Sequence, residues 1–159
     1  MKRMHVMLKV GNLDESLRFY RQLFAAEPTV IKTDYAKWML EDPPVNFSIG
    51  TVRRQAIGIE HLGIQAESPA ELAELRARIG GLAAEGADVV DEGETTCCYA
   101  RSDKIWVTDA QGVSWEAFYT HGPADSYTAP SSEDRSADCC GPDCCAGEAT
   151  GAHEQPSSF

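Results

Sequence analysis

Arg3-Met-His-Val-Met-Leu-Lys-Val10 and Ile59-Glu-His-Leu-Gly-Ile-Gln-Ala66 are two versions of one strand. Adding 56 to a position carries His5 onto His61, Val6 onto Leu62 and Leu8 onto Ile64. The same offset carries Glu15 onto Glu71, Phe19 onto Leu75 and Leu23 onto Ile79. Asn12-Leu-Asp-Glu15 and Ser68-Pro-Ala-Glu71 both have the spacing of a capping box, and Pro69 falls at a first helical position, where its missing N–H costs nothing. Each unit therefore reads as an alternating strand (about 3–10 and 58–66) followed by an amphipathic helix (about 13–25 and 69–79). Gly80-Gly81 is expected to stop the second helix.

Further along, an offset of 68 carries Trp38 onto Trp106, Met39 onto Val107, Val45 onto Val113 and Phe47 onto Trp115, with no gap between them. Each stretch is two short runs around a turn, Glu41-Asp-Pro-Pro44 or Asp109-Ala-Gln-Gly112. With one more strand after each helix, the unit is βαβββ, present twice. The prediction is an α+β domain over 1–120, with module one at 1–52, module two at 57–120 and a joint at Thr51–Ala56.

Residues 121–159 are rich in Gly, Pro, Ser and Ala, and carry seven carboxylates against the single Arg135. Such a segment cannot bury enough apolar surface to offset its ordering entropy, so it reads as a flexible acidic tail. The 159-residue chain as a whole is 43% hydrophobic and 25% charged, which fits one globular domain. No apolar run approaches the ~18 residues of a membrane span, and the first residues lead into an alternating strand rather than a signal-peptide core. A net charge of −11 argues against nucleic acid as a partner. A cytoplasmic protein is expected, without a membrane partner.

The six cysteines come as adjacent pairs, Cys97-Cys98, Cys139-Cys140 and Cys144-Cys145. Neighbouring Cα atoms are about 3.8 Å apart, too close for a relaxed disulfide within a pair. In a reducing compartment such pairs are candidates for binding soft metals or metalloids. On a regular strand, adjacent side chains point to opposite faces, so two sulfurs grip one atom only where the backbone is a loop or bulge. Irregular backbone is therefore predicted at Cys97-Cys98. Cys139-Cys-Gly-Pro-Asp-Cys-Cys145 has the short spacing of a thiolate clamp, suited to accessory capture of a soft metal or metalloid.

His5 and His61 occupy matching strand positions, where one histidine alone would more often be a hydrogen-bonded strand residue. Two at equivalent places favour a shared site across the module interface. In Val113-Ser-Trp-Glu-Ala-Phe-Tyr119, Glu116 shares a face with Ser114 and Phe118, and a carboxylate among aromatics is costly unless paired or metal-bound. The counterpart of Glu116 in module one is Ser48, so one corner of a symmetric site is vacated. Two imidazoles and one carboxylate with open positions suit non-heme Fe(II), although Zn, Mn, Co or Ni fit the same donors.

Two βαβββ modules with His5, His61 and Glu116 resemble the vicinal oxygen chelate superfamily, which includes glyoxalase I and the extradiol dioxygenases. Thr95-Thr-Cys-Cys-Tyr99 followed by Ser102-Asp-Lys-Ile-Trp-Val-Thr-Asp109 is similar, more narrowly, to the ArsI-type carbon–arsenic lyases and the cadmium-induced CadI proteins. The resemblance implies an open mixed β-barrel and an Fe(II)- and O2-dependent enzyme that cleaves trivalent organoarsenicals such as methylarsenite. It implies that His5, His61 and Glu116 hold the iron and that Cys97 and Cys98 bind arsenic, with Ni, Co or Zn able to substitute for iron in purified protein. Some members carry Gln at the first ligand position, from which His5 departs. Tyr99 and Lys104 are candidates for supporting roles beside the site. A monomer suffices for a complete site, and a homodimer is compatible with it. The alternative is a protein that sequesters cadmium or arsenic without turnover.

Overall fold

The computed structural model describes residues 2–51 and 56–127. Module one runs β1 (Arg3–Lys9), α1 (Leu13–Phe24), β2 (Val30–Ile31), β3 (Tyr35–Glu41) and β4 (Pro44–Gly50). Module two runs β5 (Gly58–Ala66), α2 (Pro69–Ala84), β6 (Val89–Cys97), β7 (Ala100–Thr108) and β8 (Ser114–Pro123). Both capping boxes form at the expected residues: Asn12 Oδ1 accepts from Glu15 N at 3.1 Å, and Ser68 Oγ accepts from Glu71 N at 3.2 Å.

The eight strands form one mixed sheet in the order β2-β3-β4-β1-β5-β8-β7-β6. Within each module the first strand pairs parallel to the last, β1 with β4 and β5 with β8. Antiparallel pairing of β1 with β5 joins the modules and sets His5 and His61 on neighbouring strands. The strand period of two then divides the side chains. Leu17 of α1 packs with Ala36, Trp38, Phe47 and Ile49. Leu72, Leu75 and Ile79 of α2 pack with Ala66, Ile105 and Ala117. The opposite face of the sheet carries buried His5, Asn46, Ser48, His61, Lys104 and Glu116. No helix among the described residues is long and apolar enough to cross a membrane.

Two expectations need correction. Helix α2 continues through Gly80-Gly81 to Ala84. Glycine ends a helix by taking a left-handed conformation, and here Gly86 does so, with φ +98°. The match of Trp38 to Trp106 also fails by one residue. Trp38 pairs with Phe47, whereas the partner of Trp115, the equivalent of Phe47, is Val107. The β3–β4 turn is short, closing from Glu41 to Pro44, while β7 and β8 close from Thr108 to Ser114. That difference shifts the register, so Trp38 packs under α1 while Trp106 lies edge-on to His61, ring centroids 5.1 Å apart.

Beyond position 120, β8 runs on to Pro123. Ala124 N then donates to Tyr99 O at 2.8 Å, and Tyr127 O accepts from Cys98 N at 2.7 Å. Positions 121–127, which composition groups with the tail, therefore continue the fold.

Candidate metal centre

His5 on β1, His61 on β5 and Glu116 on β8 converge from three adjacent strands. His5 Nε2 lies 3.2 Å from His61 Nε2 and 3.3 Å from Glu116 Oε1, and His61 Nε2 lies 3.4 Å from the same oxygen. All three side chains are buried. A near-equilateral triangle of this size accepts one divalent cation at about 2.0–2.2 Å from every corner. The donor chemistry agrees. His5 Nδ1 donates to the Asn46 carbonyl at 3.0 Å, which leaves the Nε2 lone pair directed at the triangle. His61 Nδ1 is buried with no hydrogen-bond partner among the described residues, so Nε2 is the nitrogen offered inward. The residues fit a divalent metal.

Space for the carboxylate is made by Gly63, its neighbour in the parallel β5–β8 ladder. A Cβ at position 63 would lie 2.6 Å from Glu116 O and 2.7 Å from Glu116 Cγ. Behind the carboxylate, Lys104 Nζ on β7 donates to Glu116 Oε2 at 3.1 Å, leaving Oε1 to the imidazoles. Burial alone would raise the Glu116 pKa, yet Lys104 and the two imidazoles hold it well below the usual carboxylate range. Burial pushes His5 down to about 4 despite the pull of Glu116, so its imidazole is neutral near pH 7, as a metal ligand must be. For Lys104, burial disfavours the ammonium, but Glu116 overcomes this and the pKa rises.

Cys97 ends β6, Ala100 begins β7, and Cys98 and Tyr99 form the two-residue turn between them. Both turn residues have left-handed backbone, with φ of 56° and 60°. This is the twist a tight hairpin demands, here without the usual Asn or Gly. Such strain typically costs about 1–3 kcal/mol per residue and tends to mark working sites. The turn brings the sulfurs to one side, with Cys97 Sγ 3.1 Å from Cys98 Sγ. Burial pushes the Cys98 thiol up to about 11, with Lys104 opposing the rise.

The cysteine pair and the three candidate ligands line one cavity, with Lys104 between them. Tyr99 is placed differently. Its hydroxyl donates to Asp34 Oδ1 at 2.8 Å, and Lys32 Nζ sits 5.0 Å from its ring centroid, so it bridges to module one beside the mouth. Phe118, on the face of Glu116, lines the cavity, as do Tyr35, Lys37 and Asn46, which the motifs do not mark. For Tyr35 and Lys37 the signal is available, since alternation on β3 places them opposite Ala36 and Trp38. Burial lowers the Lys37 pKa. Tyr127 packs against Tyr99 with ring centroids 5.6 Å apart, and nothing in its polar surroundings announces this. Cys139, Cys140, Cys144 and Cys145 lie outside the described residues.

No protein-family model matches the chain. A trivalent organoarsenical cleaving enzyme of Bacillus sp. (strain MD1) is 41% identical over 155 residues, covering 89% of this chain and 92% of that protein. The cadmium-induced protein CadI of Mycobacterium bovis is 32% identical over 127 residues, covering 80% of this chain and 82% of its own length. Among solved structures, the Mn(II)-bound glyoxalase of Novosphingobium aromaticivorans superposes with a TM-score of 0.55 at 17% identity, over 79% of this chain and 43% of that one. This last likeness concerns the fold. By sequence and architecture, the chain belongs to the family of trivalent organoarsenical cleaving enzymes and CadI proteins, built on the vicinal oxygen chelate fold.

Proposed function

We propose that this protein cleaves the carbon–arsenic bond of trivalent organoarsenicals such as methylarsenite, releasing inorganic arsenite in an Fe(II)- and O2-dependent reaction. The observation that carries the reading is the shared cavity, which holds a two-histidine, one-carboxylate triad and a vicinal cysteine pair. The name of the Bacillus relative supports it. His5, His61 and Glu116 would hold the iron, and Ni, Co or Zn would occupy the same donors in purified protein. Iron bound there supplies oxygen activation at coordination positions the protein leaves open.

The chain's own residues perform the rest. Reduced Cys97 and Cys98 bind arsenic through sulfur, two As–S bonds replacing the two As–OH bonds of methylarsenite while each thiol proton leaves with a hydroxide as water. Fixing arsenic at two points holds its carbon substituent beside the triad. Well-oriented intramolecular reactions recover about 7–11 kcal/mol of barrier this way. Lys104 keeps Glu116 ionised and oriented, and its charge favours the Cys98 thiolate. The cysteines at 139, 140, 144 and 145 act as an accessory trap for soft cations, dispensable for turnover. One chain supplies the whole site, and the dithiol requires a reducing compartment such as the cytoplasm.

The test is to incubate Fe(II)-loaded, reduced protein with methylarsenite, in air and without oxygen, and to separate the arsenic species. Arsenite released only in air supports the reading. Methylarsenite bound and returned unchanged under both conditions supports sequestration instead.

A further inference from the structure

The parallel ladders β1–β4 and β5–β8 place Ser48 and Glu116 at equivalent positions of the two modules. Ser48 stands in module one where Glu116 stands in module two: Met7 pairs with Ser48 as Gly63 pairs with Glu116. The environment of each position is exchanged along with it. On β7, Lys104 lies two residues before Trp106, the partner of Glu116, and reaches Oε2 at 3.1 Å. On β3, Tyr35 lies two residues before Lys37, the partner of Ser48, and its hydroxyl reaches Ser48 Oγ at 2.8 Å. A lysine–glutamate ion pair in one half is thus a tyrosine–serine hydrogen bond in the other.

The volumes are exchanged as well. Gly63 has no side chain, and a Cβ there would strike Glu116. Its counterpart Met7 is fully buried and extends so far that its Cε lies 2.9 Å from the Cβ position of Gly50. Large beside small in module one, small beside large in module two, the pairs fill similar space with opposite chemistry.

We infer that Met7, Tyr35 and Ser48 form a plug that denies the metal a fourth protein ligand, and so reserve that corner for molecules from outside. The inference rests on the metal-centre reading given under Proposed function, and names the residues that determine how many positions the centre leaves open. Tyr35 is buried, and burial raises its pKa far above neutrality, so the plug carries no charge to compete for the cation. Ser48 Oγ is occupied by Tyr35 and also lies 3.4 Å from Asn46 Oδ1, which ties it away from the triad.

Exchanging the plug for its module-two counterpart tests the inference through metal binding alone. Full-length wild type and the triple variant Met7→Gly/Tyr35→Lys/Ser48→Glu are titrated anaerobically with Co(II), reading visible absorption and, by chelator competition, Kd. The triple variant is expected to bind at least tenfold more tightly, with d–d bands weakened as coordination number rises. Met7→Gly alone supplies no donor and is expected to stay within about twofold of wild type in Kd, whereas Tyr35→Lys alone adds a buried cation and is expected to weaken binding. Should the triple variant fail to fold by circular dichroism, Met7→Ala/Ser48→Asp carries the same comparison with a shorter carboxylate. A folded variant with the wild-type spectrum and Kd overturns the plug while leaving the three-ligand centre standing. Wild-type protein that binds no Co(II) overturns both.

Discussion

Gly63 and Glu116 face each other across the β5–β8 ladder so closely that a Cβ at residue 63 would sit 2.7 Å from Glu116 Cγ. Gly63→Ala must therefore displace either the carboxylate or the strand. Overpacking of this kind costs about 1–3 kcal/mol. Because the displaced group is a candidate ligand, metal affinity is expected to fall further than stability implies, by roughly 10–100-fold. Isothermal titration with Co(II), set beside the urea midpoint of the metal-free protein, separates the two effects.

Lys104 is the cation that keeps a fully buried Glu116 charged. Lys104→Met removes the ammonium partner of that buried carboxylate, and breaking a buried pair from one side costs about 3–5 kcal/mol. The metal-free variant is expected to lose that stability in urea denaturation. A bound divalent cation restores a positive partner, so metal is expected to raise Tm more in the variant than in wild type.

The metal-free protein should weaken in mild acid through His5. Its ordinary pKa of 6.5 falls to about 4 in the fold, chiefly through burial. Between those values the unfolded chain holds a proton that the folded chain refuses. The His5 contribution is complete above pH 6.5 and is lost as pH falls towards 4, amounting to roughly 3 kcal/mol. Denaturant midpoints measured across that window are expected to decline with acid, and His5→Gln, which cannot titrate, is expected to flatten the decline.

Much of this architecture is legible in the chain because duplication writes each signal twice. His5 and His61, Asn12 and Ser68, and Glu15 and Glu71 fix strand, cap and helix in both halves. Glu116 stands out because its partner position holds Ser48. Register is where legibility fails. Trp38 and Trp106 share a residue type and an offset, but loops of unequal length after β3 and β7 set them on opposite faces of the sheet. Gly80-Gly81 misleads because α2 passes through both glycines. Tyr127 is invisible because a tail composition surrounds it, although its carbonyl accepts from Cys98 N in the fold.

Arsenic binding should depend on both sulfurs and on their redox state. Sulfur binds arsenic as the thiol or thiolate and not once it is oxidised, so protein oxidised before use is expected to bind methylarsenite poorly. Reduction should restore binding, and Cys97→Ser or Cys98→Ser should each abolish tight capture while leaving Co(II) affinity within about threefold of wild type. Equilibrium dialysis with arsenic quantified by mass spectrometry makes the comparison.

The central claim is that arsenic and metal meet in one cavity. The most direct measurement is the visible spectrum of anaerobic, reduced, Co(II)-loaded protein before and after one equivalent of methylarsenite. A saturable change in the d–d bands, present in wild type and absent in Cys98→Ser, is the predicted result. Methylarsenite that binds stoichiometrically while the cobalt spectrum stays unchanged would place the two at separate sites and contradict the account.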